Sequence, residues 1–334
     1  MEKTKLDDVP SSIYNNGTFE NLECTPQLAD DASYIKLIQK QFSKPAAVKP
    51  SAPIPHVITD LKSLYSETPV MVWFGHSSYL LSCKGFNLLL DPVFSGSASP
   101  FSFMIKAYEG ADVYKAEHMP HIDLHLQSHN HYDHLDKKTV KALAQQTKAY
   151  VVPRNVDSDL TSWGVAADKI TTLDWGEQLK ISEDIQITAT PARHFAGRGL
   201  KRNTSLWSSY VLDFYGMRIF VGGDSGYGTH FKEIGNHFGP FDVAILECGQ
   251  YGVDWPYIHT LPEETLQVAL DIKAKKIIPV HWAKFTLALH PWNEPVERLL
   301  TAAKATDIPV ITPRIGEVLD LKEGQPGISW WQGF

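Results

Sequence analysis

The stretch His129-Asn130-His131-Tyr132-Asp133-His134 decides how this chain is read. Three imidazoles and one carboxylate within six positions make two adjacent sets of donors, of the kinds that suit zinc and other divalent first-row metals. Alternate side chains of a short extended segment share a side, so His129 and His131 reach one ion while Asp133 and His134 turn towards a second. The plain alternative is a solvated polar loop in a chain with 14 histidines. Chance clustering at this spacing beside an aspartate is a poor account of it.

Outward from that stretch, Ile122-Asp123-Leu124-His125-Leu126 alternates apolar and polar as a half-buried strand does. Asp136 is a good helix cap, and Val140, Leu143 and Ala144 mark the inner face of the helix it starts. Earlier, Val70-Met71-Val72-Trp73-Phe74, Ser78-Tyr79-Leu80-Leu81-Ser82 and Phe86-Asn87-Leu88-Leu89-Leu90 are separated by Gly75 and Lys84-Gly85, which predicts antiparallel hairpins. Later come a strand over 185–189 and a hairpin around Tyr215-Gly216. The last third alternates a strand over 242–246, a helix over 262–272 with proline in its first turn, a strand over 277–280, a helix over 294–305 and a closing strand over 309–311. Strand-rich halves with helices outside make an α/β layered domain over 69–334. Residues 1–68 read as an N-terminal extension. Four prolines in Lys44-Pro45-Ala46-Ala47-Val48-Lys49-Pro50-Ser51-Ala52-Pro53-Ile54-Pro55 favour an extended strap or linker, and Tyr34-Ile35-Lys36-Leu37-Ile38 a docking helix.

With 43% hydrophobic residues in 334, the chain can bury a substantial core. A net charge of −7 argues against a general nucleic-acid binder, so no such partner is expected. No apolar run reaches the roughly 18 residues of a membrane-spanning helix. The opening Met1-Glu2-Lys3-Thr4-Lys5-Leu6-Asp7-Asp8 lacks the apolar stretch of a signal peptide. Cys24, Cys83 and Cys248 are too few and too scattered for a disulfide framework or a thiolate metal site. The expectation is a cytoplasmic protein.

Two ions need more donors than the first stretch supplies, and three candidates lie where strands stop: His194 in Pro191-Ala192-Arg193-His194-Phe195, Asp224 in Gly222-Gly223-Asp224-Ser225-Gly226, and His281 in Pro279-Val280-His281-Trp282. Several strand ends can converge on one cleft. Singly, an aspartate after two glycines reads as a turn residue and a strand-end histidine as an ordinary one. In this order, after the first stretch, they read as ligands.

The order Leu90-Asp91, His129 to His134, His194, Asp224 and His281 resembles the metallo-β-lactamase superfamily. Within it, Trp73-Phe74-Gly75-His76-Ser77-Ser78, Asp91-Pro92-Val93-Phe94-Ser95, Ala98-Ser99-Pro100 and Gly239-Pro240-Phe241-Asp242 resemble the branch of N-acylphosphatidylethanolamine-hydrolysing phospholipase D. The resemblance implies a four-layer αβ/βα sandwich. It implies one zinc on His129, His131 and His194, another on Asp133, His134 and His281, and Asp224 bridging the two. The same donors admit manganese or iron(II). A class B β-lactamase would offer a cysteine where this chain has Asp224, which counts against β-lactam hydrolysis.

On these grounds the chain is expected to be a hydrolase, a phosphodiesterase of phospholipase D type that uses a metal-bridging hydroxide as nucleophile. Its substrate is a small molecule or a phospholipid, with peripheral membrane contact. Asp133, Asp224 and His259 carry the catalytic assignment, His259 by its match to a histidine that the family places beside the metals. Asp91 is expected to accept the free ring N–H of a ligand histidine. His76, Arg193 and Arg198 are assigned to substrate, the two arginines because Arg193-His194-Phe195-Ala196-Gly197-Arg198-Gly199-Leu200-Lys201-Arg202 sets four cations around a ligand. A solvated basic loop is the alternative. A lipid substrate also predicts an apolar groove, for which Phe94, Phe101, Phe103 and Tyr108 are candidates, with ordinary core positions as the alternative, while Trp330-Trp331 near the C-terminus can dock on the body. Two other functions fit the same donors: a lactonase or carboxylic-ester hydrolase, and a non-catalytic metal-binding sensor.

Overall fold

Short apolar runs broken by turn residues become strands. The computed structural model, which describes residues 2–33, 35, 37, 39–40, 43–199, 201–324 and 328–333, assembles them into two seven-stranded sheets and a small ribbon. The chain enters through β1 (Glu2–Lys5) and the ribbon of β2 (Ile13–Asn15) and β3 (Thr18–Glu20). In the first sheet β4 (Val70–Trp73), β5 (Tyr79–Cys83) and β6 (Phe86–Leu90) are antiparallel neighbours. To them β7 (Ile122–Leu126), β8 (Thr147–Pro153) and β9 (Ile170–Leu173) add in parallel. The second sheet holds the antiparallel β10 (Glu177–Lys180), β11 (Ile185–Thr190), β12 (Ser209–Phe214) and β13 (Met217–Val221). It continues in parallel through β14 (Val243–Glu247) and β15 (Ile277–Val280). Strand β16 (Val318–Asp320) returns to the first sheet beside β4, and β1 edges the second against β10.

Period-two alternation explains why both faces of each sheet are covered. Along β13 and β14, Ile219, Val221, Val243 and Ile245 join the core between the sheets, while Phe220, Ala244 and Leu246 face outwards. There α3 (His230–Phe238), α4 (Pro262–Asp271) and α5 (Glu294–Ala303) meet them with Phe231, Ile234, Val268 and Leu299. On the other side α1 (Lys137–Leu143) and α2 (Asp157–Ser162) bring Val140 and Leu160 to Tyr150 and Val152 of β8. The result is the four-layer αβ/βα sandwich expected. The β12–β13 hairpin turns on Tyr215 and Gly216, both at positive φ (49° and 79°), the geometry that a two-residue hairpin favours.

The strand expected over 309–311 is not the closing one. Only an isolated bridge joins Val310 to Ile277, because Pro309 has no N–H to extend a ladder, and β16 closes the first sheet instead. Of the docking helix expected over 34–38, Tyr34, Lys36 and Ile38 lie outside the described residues. The rest of the first 68 residues is laid across the body. Phe19 packs with Trp175 and Trp207, and the Val48 carbonyl accepts hydrogen bonds from the Tyr108 and Thr286 hydroxyls. At the other end Trp330 and Trp331 pack on Trp282, one residue beyond His281.

Candidate metal centre

Every expected donor lies on a loop at the end of a strand. Residues 129–134 follow β7 and are stopped by Asp136, whose side chain caps α1 by accepting from the Lys138 N–H. His194 follows β11, Asp224 follows β13, His281 follows β15, Asp91 follows β6, and His76 sits in the turn between β4 and β5. Because these ends lie side by side in two facing sheets, side chains far apart in sequence meet at one edge of the sandwich.

Among the described residues, four overlapping groups of possible ligand atoms form there, and two of them contain the expected sets. In the first, His129 Nε2 and His194 Nε2 lie 2.8 and 3.3 Å from His131 Nδ1. In the second, His134 Nε2 and His281 Nε2 each lie 3.4 Å from Asp133 Oδ2. One oxygen, Asp224 Oδ2, stands between the sets. It is 3.1 Å from His134 Nε2, 3.2 Å from His281 Nε2, 3.8 Å from His194 Nε2 and 3.9 Å from His129 Nε2. Four of the remaining nitrogens are tied back. Asp91 Oδ2 holds His134 Nδ1 at 2.8 Å, the Ile258 carbonyl holds His194 Nδ1 at 2.8 Å, the Gly249 carbonyl holds His281 Nδ1 at 3.2 Å, and the Ser128 hydroxyl lies 2.9 Å from His129 Nδ1. Asp91 is itself fixed by Ser128 and Gln127. Such outer bonds choose the ring tautomer and aim the free nitrogen inwards.

The electrostatics agree with that aim. Burial, with neighbouring histidines, holds His129 and His194 well below the ordinary imidazole value, and burial takes His131 to about 4. Burial works against charge on His134 and His281 too. There the Asp224 and Asp133 carboxylates outweigh it, lifting His134 well above its ordinary value and His281 to about 10. Burial alone would raise Asp133 and Asp224, yet the surrounding imidazoles hold both well below the carboxylate range. His131 Nε2 and Asp224 Oδ1 are buried without a hydrogen-bond partner. Three rings held neutral, two rings charged only because ionised carboxylates face them, and buried polar atoms left without a partner are a donor set that fits a divalent cation, which would take the place of those two protons.

Two of the three substrate assignments change. His76 is wholly buried, with Nε2 2.8 Å from Asp133 Oδ2, so it belongs to the second ligand set and not to a surface that substrate can touch. Arg193 does not face the cleft. Its guanidinium donates to Thr25 Oγ1 and to the Tyr227 and Cys24 carbonyls, tying the N-terminal segment to the body. Arg198 does reach the cleft wall, stacked 4.0 Å over the Tyr132 ring, but one of its nitrogens is engaged by the Asn130 carbonyl. Of the four aromatics expected to build a groove, Phe94 and Tyr108 are core residues, while Phe101 and Phe103 are exposed.

The cleft is a cavity of about 550 Å³. His131, Asp133, His194, Asp224 and His259 line its floor, and Phe195, Trp255 and Leu287 are among its apolar walls. His259 Nδ1 lies 2.6 Å from Glu247 Oε2. Glu247, a buried carboxylate ending β14, was missed from sequence. Its one signal is a charge at the end of an otherwise apolar strand.

The sequence profile of the beta-lactamase superfamily domain matches residues 86–282. An uncharacterised protein of Mycobacterium tuberculosis is 38% identical over 96% of this chain and 88% of its own length. The N-acyl-phosphatidylethanolamine-hydrolyzing phospholipase D 1 of Caenorhabditis elegans is 30% identical over 81% of each chain. Among solved structures, a metallo hydrolase from Ignicoccus hospitalis shares the fold, with a TM-score of 0.56 at 19% identity over 75% of this chain and 97% of the other. With two facing mixed sheets, helices outside and a His/Asp cluster at the strand ends, this chain belongs to the metallo-β-lactamase superfamily of metal-dependent hydrolases, in the branch of the N-acyl-phosphatidylethanolamine-hydrolysing phospholipases D.

Proposed function

We propose that the protein is a phosphodiesterase that holds two divalent ions, zinc by preference, and cleaves a phosphodiester in a lipid headgroup. The observation that carries this reading is the single carboxylate oxygen of Asp224 within 3.9 Å of both sets of ring nitrogens, because a shared anion offsets repulsion between two dications. His129, His131 and His194 would hold one ion; Asp133, His134 and His281 the other, with His76 beside them. When bound, such a pair supplies Lewis acidity towards a phosphoryl oxygen and water acidic enough to act at neutral pH. The chain's own groups do the rest. Phe195, Trp255 and Leu287 give the apolar wall that an acyl chain needs, Arg198 sets a cation on the rim, and His259 turns a ring edge towards the leaving group. Pro100 lines the cavity, and the exposed Phe101 (58%) and Phe103 (73%) that follow it in the chain suit contact with a lipid surface. None of the helices among the described residues is long and apolar enough to cross a membrane.

The test is metal-loaded protein assayed on bis(p-nitrophenyl) phosphate, on N-acylphosphatidylethanolamine in mixed micelles and on a lactone panel, with bound metal counted. Turnover of both phosphodiesters with two ions per chain is expected, together with loss of activity in Asp224→Ala. Preferential lactone turnover, or one ion per chain in the active protein, would sink the reading.

A further inference from the structure

His259 differs from the other histidines of the centre. Its ring lines the cavity, stacks on His281 at 5.1 Å and stands 5.0 Å from the His194 ring. Its Nδ1 is the nitrogen bonded to Glu247, so Nε2 is the one left for the cavity. Glu247 is in turn fixed at its other oxygen, where Oε1 accepts the Ser225 and Thr260 backbone N–H groups at 3.1 Å each. These donors straddle the two loops that matter: Ser225 follows Asp224, and Thr260 follows His259.

The same geometry places Glu247, with His259, near Asp224 and His281, as a metal ligand would be. Its hydrogen bonds argue otherwise. Oε1 is taken by two amides, and Oε2 lies closer to His259 Nδ1 (2.6 Å) than to His281 Nδ1 (3.4 Å). A carboxylate so committed holds a ring.

We infer that Glu247 is a positioning residue that fixes His259 in the Nδ1–H tautomer, so that its unprotonated Nε2 faces the catalytic cavity. In the proposed phosphodiester cleavage, on which this role rests, the proton released by the attacking water passes to Nε2 and then to the departing alkoxide oxygen. The P–O bond to water forms, the P–O bond to the leaving group breaks, and His259 ends as it began. The carboxylate, bonded to Nδ1–H throughout, steadies the ring while it carries the proton.

Glu247→Gln separates this role from simple support. The amide is nearly isosteric, and its oxygen can still accept from Ser225 and Thr260. Its NH₂ then faces His259 Nδ1 as a donor and forces the opposite tautomer, with Nε2–H towards the cavity. The comparable Asp-to-Asn exchange in a serine-protease triad lowers kcat by about 10⁴-fold through the wrong tautomer.

The experiment uses full-length, metal-loaded protein labelled with ¹⁵N-histidine. The His259 resonances are assigned as those missing from His259→Gln. The Nδ1–H tautomer is expected in the wild type and Nε2–H in Glu247→Gln, with bound metal unchanged. On the phosphodiester substrate, kcat should fall by about 10²- to 10⁴-fold in both variants while KM stays within about threefold. The same tautomer in wild type and Glu247→Gln would overturn the inference. So would kcat retained within about fivefold in either variant, or one metal ion lost from Glu247→Gln, which would make Glu247 a ligand. If Glu247→Gln does not fold, the tautomer in the wild type and the kcat of His259→Gln decide. If the wild type cleaves no phosphodiester, the proposed function fails, and the ¹⁵N tautomers still decide what Glu247 does.

Discussion

His76, Asp91 and His281 sit at φ values of 53°, 42° and 67°, a region that non-glycine residues enter at a cost on the order of 1 kcal/mol each. They are held there by their surroundings. The His76 N–H donates to the Trp282 carbonyl, and the His281 N–H donates back to the His76 carbonyl, each at 2.9 Å. Lys284 secures the same corner. Its ammonium is buried, donating to the Phe74 and Val93 carbonyls and lying 3.6 Å from Asp112, and burial lowers its pKa from 10.5 to about 8. A base whose folded value is depressed costs stability while it is charged in the fold. That cost is full below about pH 8 and fades as pH rises towards 10.5, because in this window the unfolded chain binds more protons. Wild type should therefore gain on Lys284→Met by roughly 3 kcal/mol across that window in denaturant titrations. A stability difference that stays flat with pH would refute it.

At the scale of elements, the segment ahead of the sandwich bears on the centre through Asn21. Its side chain pairs with the backbone of His194, donating to the carbonyl at 2.8 Å and accepting from the N–H at 3.0 Å. Arg193, one residue earlier, grips Cys24 and Thr25. A ligand loop is thus clamped from outside the sandwich. Asn21→Ala should lower stability by about 1–3 kcal/mol and speed loss of metal to a chelator. An unchanged chelation rate would show that the clamp does not reach the ligand. Elements with strong apolar alternation, such as β7, β12 and β13, were legible in the sequence. The edge strand β1 and its neighbour β10 were not. Glu2, Lys3, Thr4 and Lys5 are all exposed, so nothing in their pattern marks a strand, and only pairing with β10 makes one.

For the whole molecule, the buried imidazoles and carboxylates at one edge of the sandwich link folding to metal. Removing divalent ions with a chelator should abolish hydrolysis and lower Tm, and zinc, manganese or iron(II) should restore both. At a free ion concentration of 100 times Kd the bound ion stabilises the fold by about 2.7 kcal/mol per site. A Tm indifferent to chelation would mean that no ion is held there. The sequence by itself determined the donor types, their order and the layered α/β class, because ligand chemistry and apolar period are local properties of the chain. For Asp91 the strand-end position read equally as a turn residue before Pro92, and the family resemblance placed it beside a ligand ring. Only the tertiary structure decided that His76 turns inwards onto Asp133, that Arg193 turns away from the cleft, and that Glu247 meets His259. Where a side chain points at the end of a strand depends on which other strand ends lie beside it. That is settled when the two sheets pack face to face.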